Sequence, residues 1–338
     1  YGGHGGIALF NREFCEALGE PITVIPRVVR NQIGPIPPNV TFVAEAAKNP
    51  VSYLKAIAAA RRSKPDLVIC GHMNLLPVAF ENPLLVVHGI EAWKPRRASL
   101  AKCRGIISVS ALTRDRLLGW SHFAGPTYVL PNAVHLEQYG IRAKRRDLVE
   151  RYHLEGKRVL LTVGRLDSAE RSKGFDEVLD VLRELPEDVV YMIAGGGKDF
   201  TRLQMKAVQL GVGKRVIFTG LFDERDKPDL YNLADVYVMP SRGEGFGFVF
   251  LEAMACGVPV IGSKADGGRE ALRDGELGLL VDPTNPAELR AAILETLQCG
   301  ERRVPPGLDY FSFDRFVERS RAIVASSSGN AATARSSS

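Results

Sequence analysis

Cysteine and long apolar runs are scarce in this sequence. Its five cysteines, at positions 15, 70, 103, 256 and 299, form no C-x-x-C pair, a pattern that argues for reduced thiols and against a disulfide framework or a zinc site. No apolar run approaches the ~20 residues of a membrane span, and no signal-peptide pattern is present. We therefore expect a cytoplasmic protein.

The motifs of several common chemistries are also absent. There is no G-x-x-x-x-G-K-[ST] phosphate loop, no G-x-S-x-G elbow, no H-E-x-x-H and no D-x-D metal-binding pair. We expect no bound metal and no required cofactor. Nucleic acid is not an expected partner, because the basic residues are not interleaved with aromatic ones and no recognition motif is visible.

Positive charge is concentrated in the first part of the chain. Residues 1–140 hold 15 Lys and Arg against 9 Asp and Glu, whereas the remainder holds 29 against 30. Five of the cations lie close together: Lys94, Arg96, Arg97, Lys102 and Arg104. Residues 1–140 could face an anionic membrane or a phosphorylated acceptor. A basic, solvated surface is the alternative.

Length and periodicity predict two α/β domains. The 338 residues are too many for one typical core, and short apolar runs alternate with helical stretches, which is typical of parallel sheets. We predict a first domain over 1–140, a linker over 141–156 and a second domain over 157–308. An amphipathic helix over 309–325 would return to the first domain, and the polar tail 326–338 would be disordered.

The chain opens on a glycine-rich stretch, Tyr1-Gly2-Gly3-His4-Gly5-Gly6, that leads into a predicted helix. Glycine-rich loops of this type normally follow a strand, and none precedes this one. We therefore expect that the native protein has a further strand ahead of Tyr1.

A strand-turn-helix stretch near residue 244 carries two carboxylates. An apolar run over 235–240 predicts a buried strand, followed by a helix that carries Glu252 and stops at Gly257. Eight helical steps would separate Glu244 from Glu252 by ~12 Å. The backbone N–H groups of Phe246 and Gly247 would face an anion. The alternative is an ordinary helix start with two surface glutamates.

Two cations follow the first strand of the second domain. Arg165 ends the strand predicted over 158–163, and Lys173 opens the next helix. Both would lie at the carboxyl end of the sheet, where open α/β folds bind ligands. An arginine fork and a lysine point charge suit the two phosphates of a diphosphate, although either alone is more often a surface cation.

These motifs and others occur in the order typical of glycosyltransferase family 4, which the sequence resembles over residues 2 to about 325. The likeness is strong in the second domain and looser in the first. The motifs are Gly5-Gly6, His88-Gly89, Leu130-Pro131-Asn132-Ala133-Val134, Gly164-Arg165-Leu166, Lys173-Gly174, Ala194-Gly195-Gly196-Gly197, Phe218-Thr219-Gly220 and the stretch from Glu244 through Glu252 to Val260.

The resemblance implies the GT-B architecture, with two Rossmann-like βαβ domains facing across a cleft. It also implies roles for the second domain. Arg165 and Lys173 would bind the donor diphosphate, Glu244 the hydroxyls of the donor sugar, and Glu252 the ribose. Backbone N–H groups of Phe246 and Gly247 would lie near the sugar and the phosphate.

For the first domain the resemblance implies that the Gly5-Gly6 loop covers the phosphates and that His88 lies beside the anomeric carbon. The implied activity is retaining transfer of a hexose from a UDP- or GDP-sugar to a saccharide or a lipid-linked acceptor. The family would act without a metal. The alternatives are a GT-B phosphorylase or epimerase, and a non-catalytic subunit that binds nucleotide sugars.

Overall fold

The protein divides into two α/β units. The computed structural model describes residues 5–29, 36–80, 82–95, 100–167, 172–299 and 301–335, the last seven by their backbone alone. The first unit comprises residues 1–133 together with 313–338, and the second comprises residues 134–312. None of the helices in these ranges is both long enough and apolar enough to cross a lipid bilayer.

The first unit contains two separate parallel sheets within its described residues. Strands β1 and β2 form one sheet, and β3 to β6 form the other in sequence order. The expected strand ahead of Tyr1 concerns residues outside the described ranges. The elements are α1 (Gly6–Leu18), β1 (Ile22–Val24), β2 (Val40–Phe42), α2 (Pro50–Arg62), β3 (Ile69–Cys70), β4 (Leu84–Val87), β5 (Gly105–Ser108), α3 (Ala111–Ser121) and β6 (Thr127–Val129).

Burial and capping explain where these elements form. Every residue of β4 and β5 is buried, as expected for parallel strands covered on both faces. Helix α2 begins with Pro50, and the Asn49 side chain accepts a hydrogen bond from the Ser52 N–H, which compensates one of the unpaired N–H groups of its first turn. The Ser110 side chain caps α3 in the same way, at Thr113.

The C-terminal helix α11 (Phe313–Arg335) belongs to the first unit and packs along α1. The Phe10 and Phe316 rings meet edge to face, with 5.6 Å between centroids, and Arg321 Nε donates to the Ala17 carbonyl oxygen over 2.9 Å. These contacts bury one face of α11 against α1.

The start and the end of α11 both differ from the prediction. The helix begins four residues later than expected and continues ten residues past 325, into the segment predicted to be disordered. The hydroxyl groups of Ser326, Ser327 and Ser328 donate to carbonyl oxygens three or four residues earlier. Because each hydroxyl is satisfied within the helix, the polar composition does not end it.

The second unit is built on one six-stranded parallel sheet in the order β12-β11-β10-β7-β8-β9. Its elements are α4 (Arg146–Arg151), β7 (Arg158–Val163), α5 (Phe175–Leu182), β8 (Val189–Ala194), α6 (Phe200–Gln209), β9 (Val216–Gly220), α7 (Lys227–Leu233), β10 (Val236–Val238), α8 (Phe248–Ala255), β11 (Val260–Ser263), α9 (Gly268–Ala271), β12 (Leu279–Val281) and α10 (Pro286–Cys299). A continuous apolar core involves β7, β8, α5 and α10.

The direction in which the chain adds successive strands to this sheet changes next to β7. From β7 it proceeds outward through β8 and β9, and then it returns to place β10, β11 and β12 on the other side. The carboxyl ends of β7 and β10 therefore flank a topological switch point, the place where open α/β sheets bind their ligands.

The predicted linker is shorter in the structure than in the sequence analysis. Residues 146–151 form α4, and contacts assign residues 134–312, which include the predicted linker, to the second unit. Ion pairs hold this stretch to the unit, among them Lys144 with Asp235 at 2.9 Å and Arg145 with Asp229 at 2.9 Å. Lys144 and Arg145, which lie in the segment predicted to be a linker, instead pair with carboxylates that are distant in sequence.

Candidate functional site

Two of the predicted residues lie next to each other after β7. Arg165 follows Gly164 directly, and its side chain is exposed. The aliphatic part of Lys173 passes over Gly164, where an added Cβ would lie 3.1 Å from Lys173 Cδ. The Lys173 side chain is therefore directed back over the carboxyl end of β7, beside Arg165.

Glu244 reaches the same place from β10. Its carboxylate oxygen Oε2 accepts a hydrogen bond from Lys173 Nζ over 3.0 Å, and about one fifth of each side chain is exposed. The Arg242 N–H donates to the Ser172 carbonyl oxygen over 2.6 Å, which ties together the loops after β7 and β10. The structure thus brings Lys173 and Glu244 together at the switch point of the sheet.

Helix α8 begins later than predicted. It starts at Phe248, so residues 244–247 form a loop, and Glu252 is only the fifth residue of the helix. The ~12 Å spacing, which assumed eight helical steps, does not apply. The cause is local: Gly247 has a φ of 96°, outside the helical region and accessible mainly to glycine. The ring of Phe246 is buried against Phe311, with 5.5 Å between centroids.

Glu252 lies in a different environment from Glu244. It is 4% exposed, and its two carboxylate oxygens accept from Lys227 Nζ over 2.7 Å and from the Tyr231 hydroxyl over 2.6 Å. Burial and the Glu252 charge raise the pKa of Tyr231 well above its usual value. The pKa of Lys227 is also raised, because the attraction of Glu252 and Glu224 outweighs the effect of its burial.

Asp266 is a residue of this site that sequence reasoning missed. It follows β11 and is fully buried. Its carboxylate oxygens accept from the backbone N–H groups of Glu244 (2.8 Å) and Gly268 (3.0 Å). Burial raises its pKa to about 6. The signal in the sequence was a carboxylate after a buried strand and directly before Gly267-Gly268.

In the first unit, His88 follows β4, as predicted. Its ring nitrogen Nε2 lies 3.0 Å from the Gly71 carbonyl oxygen, and its backbone N–H donates to the Glu91 carboxylate. Burial lowers the pKa of His88. The imidazole is therefore neutral at pH 7 and donates through Nε2, since a carbonyl oxygen only accepts, and Nδ1 is an acceptor.

Gly5 and Gly6 lie at the start of α1, of which Gly6 is the first residue. Gly5 precedes the helix with a φ of 102°, and its carbonyl oxygen accepts from the Ala8 and Leu9 N–H groups, each over 3.1 Å. The first turn of α1 contains no acidic side chain. These residues and His88 belong to the first unit, and the other predicted site residues belong to the second.

The chemistry of the switch point is that of an anion and polyol site. Lysine and arginine provide positive charge, and Glu244 provides acceptors for hydroxyl groups. Among the described residues, no group of three or more His, Cys, Asp or Glu side chains is placed to hold a metal ion.

A comparison with known families assigns the second unit. Residues 144–306 match the family described as "Glycosyl transferases group 1". Most of the second unit therefore matches a group 1 glycosyl transferase domain. This domain contains Arg165, Lys173, Glu244, Glu252 and Asp266.

Curated relatives extend the likeness of the group 1 domain. Over 226 residues the chain is 31% identical to a GDP-mannose-dependent alpha-(1-6)-phosphatidylinositol monomannoside mannosyltransferase of Mycolicibacterium smegmatis, a match that covers 63% of this chain and 58% of that protein. Over 199 residues it is 38% identical to a phosphatidyl-myo-inositol mannosyltransferase of Mycobacterium tuberculosis, covering 57% and 49%. The match thus spans 58% and 49% of the lengths of these two relatives.

Solved structures show the fold of the whole chain. Anabaena Alr3699/HepE in complex with UDP-glucose superposes with a TM-score of 0.72 at 21% identity, covering 100% of this chain and 98% of that one. The lipopolysaccharide outer core galactosyltransferase WaaB superposes with a TM-score of 0.73 at 18% identity, covering 96% and 97%. The chain that carries the group 1 domain has the GT-B fold, with two Rossmann-like α/β units.

Proposed function

We propose that this protein is a retaining, family 4 glycosyltransferase that transfers a hexose from a nucleoside-diphosphate sugar to a lipid-linked acceptor. The donor is of the GDP-mannose type, with UDP-glucose as the alternative. The proposal rests first on one observation: Lys173 and Glu244 meet at 3.0 Å where the sheet of a group 1 domain reverses its strand order.

The Lys173–Glu244 ion pair suggests how the site receives its donor. Cleavage of the bond between sugar and phosphate develops positive charge on the sugar ring and negative charge on the departing diphosphate. When the donor binds, Lys173 exchanges Glu244 for a phosphate oxygen, and Arg165 adds a second positive charge beside it. Glu244, freed from the ion pair, accepts hydrogen bonds from the sugar hydroxyls.

Glu252 and His88 contribute polar contacts of different kinds. The Glu252 carboxylate has capacity for about four hydrogen bonds, so the contacts with Lys227, Tyr231 and Tyr139 leave about one acceptor position for a ribose hydroxyl. His88 is neutral, so it contacts the sugar near the anomeric carbon without placing a positive charge beside a ring that is itself becoming positive.

The donor and the acceptor are inferred from the relatives. Both mannosyltransferases are named for phosphatidylinositol-based acceptors, and one is named GDP-mannose-dependent. The HepE structure contains UDP-glucose, which is why that donor is the alternative. A lipid-linked acceptor agrees with the excess of positive charge in residues 1–140.

A thermal-shift screen of GDP-mannose, UDP-glucose and related nucleotide sugars tests the donor. A ligand present at 100 times its dissociation constant stabilises the folded state by ~2.7 kcal/mol, so the true donor stands out from the rest. NMR of the product made with an inositol phospholipid then reports the anomeric configuration. Stabilisation by no nucleotide sugar would refute the proposal, and an inverted product would refute retention. Donor binding without any transfer would identify a non-catalytic binding subunit.

We further propose that the first unit binds the surface of an anionic membrane, at the inner face of the cytoplasmic membrane. The cluster singled out from the sequence supports this only in part. Lys102 and Arg104 donate hydrogen bonds to backbone carbonyl oxygens of Ala79 and Asn82, and Arg96 and Arg97 lie outside the described residues. Lys94 is exposed.

Helix α2 offers a better surface for this contact. Val51 and Leu54 are 61% and 52% exposed, and Lys55 and Arg62 on the same helix are exposed as well. Exposed apolar groups combined with positive charges are typical of helices that lie in a membrane interface.

Co-sedimentation with vesicles that contain phosphatidylinositol tests the contact. We expect binding at low salt that is lost at high salt, and weaker binding by Leu54→Ser. The matched control is Val208→Ser, at a valine that is 69% exposed on α6 of the second unit. Absence of binding at low salt, or equal loss in both variants, would contradict the proposal.

A further inference from the structure

Both sides of the Glu244 backbone are held by the loop after β11. The Glu244 N–H donates to Asp266 Oδ2 over 2.8 Å, and the Glu244 carbonyl oxygen accepts from the Gly267 N–H over 2.9 Å. The second carboxylate oxygen, Oδ1, accepts from the Gly268 N–H over 3.0 Å. Asp266 therefore joins two loops at the carboxyl end of the sheet.

These two loops are also in close steric contact. A Cβ added to Gly267 would collide with the Gly245 carbonyl oxygen, and one added to Gly268 would lie 2.7 Å from the ring of Phe250. The loop after β11 therefore has little freedom to shift relative to residues 244–247. With its backbone held, Glu244 directs its side chain to Lys173.

We infer that Asp266 is a positioning residue for sugar transfer: its ionised carboxylate holds the Glu244 backbone so that the Glu244 side chain meets the hydroxyls of the donor sugar. This inference rests on the proposed function. Asp266 itself touches no reacting atom in this assignment and acts through Glu244.

The ionised form is required because both carboxylate oxygens accept a backbone N–H. Protonation would convert one of these oxygens into a neutral hydroxyl, a weaker acceptor, and the backbone hydrogen bond to that oxygen would weaken. The pKa of Asp266, about 6 and raised mainly by burial, places this change within an accessible pH range.

The charged groups around Asp266 have their own partners. Glu244, from the loop after β10, faces Asp266 and adds to its raised pKa, and Glu244 is itself paired with Lys173. On the loop of Asp266, Lys264 pairs with Glu288 at 2.5 Å, and Arg269 pairs with Asp274 at 2.6 Å.

The test combines a pH profile with amide hydrogen exchange, using Asp266→Asn and a matched control. The control is Asp282→Asn, because Asp282 also accepts a backbone N–H after the neighbouring strand, at Thr284, but lies at the surface. In the wild type and the control, kcat/KM for the donor should fall by ~10-fold per pH unit below the pKa of one essential ionised group. Asp266→Asn should be at least ten times less active at pH 7.5 and should lack this fall.

Exchange protection of peptides that cover residues 241–247 provides a readout that needs no donor. We expect it to be lost in Asp266→Asn and, in the wild type, to weaken as the pH falls below 6. Suppose that the wild type uses the donor and that Asp266→Asn has normal activity, the same pH profile and full exchange protection. This result would overturn the inference about Asp266 and leave the proposed function standing. If the wild type binds no nucleotide sugar, the proposed function fails, and the inference fails with it.

Discussion

Glu244 and Glu252 have the same side chain but differ in their surroundings. Glu244 is partly exposed and forms an ion pair with Lys173, whereas Glu252 is buried between Lys227 and Tyr231. A partly exposed carboxylate can exchange its partner when a ligand arrives. A buried one with two partners also stabilises the fold. Replacement by glutamine should therefore have different consequences at the two positions.

Glu244→Gln should lower turnover by ~10²-fold or more, a scale set by single electrostatic contacts to a developing charge. In the proposed function, Glu244 holds the sugar while positive charge develops on the ring. Steady-state kinetics with the donor identified by thermal shift provides the measurement. Glu187→Gln, at a side chain that is 93% exposed, is the control. A rise in KM alone would show that Glu244 binds the ground state and the transition state equally.

Glu252→Gln should raise the KM for the donor and leave turnover largely intact, because the ribose is held equally in both states. The structure adds a second effect. Removing one partner of a buried ion pair, here that of Lys227, should lower the free energy of unfolding by ~3 kcal/mol. Denaturant unfolding measures this loss. Tyr231→Phe, which removes only a hydrogen bond, should cost ~1 kcal/mol, and an equal cost for both variants would contradict this account.

Asp266 should make the protein less stable at neutral pH than in mild acid. Its pKa in the folded state, about 6, lies above the ordinary value of 3.8, so the folded state binds the proton more tightly. Stability therefore rises as the pH falls from 7 through 6 towards 4, by up to ~3 kcal/mol from this group. The difference in unfolding free energy between the wild type and Asp266→Asn isolates this contribution. A difference that does not change with pH would exclude it.

At the scale of elements, the contact between the loops after β10 and β11 determines the shape of the site. Residues 244–247 are not helical, and the backbone of Gly267 lies against Gly245. Such a contact leaves no space for a side chain, so the sequence requires glycine at position 267 for steric reasons. The geometry of Glu244 depends on this contact as well as on Asp266.

Gly267→Ala should therefore weaken donor binding by ~10-fold or more, since the new methyl group displaces the loop that carries Glu244, and a misplaced contact group costs up to 10²-fold. Isothermal titration with the donor provides the measurement. Gly119→Ala is the control: Gly119 lies inside α3 with nothing within 4 Å of the added Cβ. This change should leave affinity unchanged and stabilise the fold by ~0.5–1 kcal/mol. Equal affinities in the two variants would refute the steric argument.

At the scale of the whole molecule, the cations of the chain should replace a metal ion during transfer. We expect turnover to be unaffected by a chelator, because Lys173 and Arg165 neutralise the leaving diphosphate. The measurement is transfer in the presence of EDTA, followed by addition of manganese or magnesium. Loss of activity that either metal restores would contradict this prediction.

Much of the architecture was determined by the sequence itself. Buried parallel strands appear as short apolar runs, so β7 has the predicted bounds and β10 lies within the run predicted over 235–240. Arg165, Lys173 and Glu244 were candidates from the sequence because the loops that follow such runs lie at the carboxyl edge of the sheet.

Only the tertiary structure decided which of these residues meet. The order of strands in the sheet places β7 beside β10, although 78 positions separate their first residues, Arg158 and Val236. In register, Val236 pairs with Leu160, 76 positions earlier. No local pattern specifies that pairing. The same holds for Asp266, whose partner Glu244 lies 22 positions away, and for the burial of Glu252 by α7. Hydrophobic periodicity reports which face of an element is buried, whereas contacts between polar groups of distant loops arise only once the sheet has assembled.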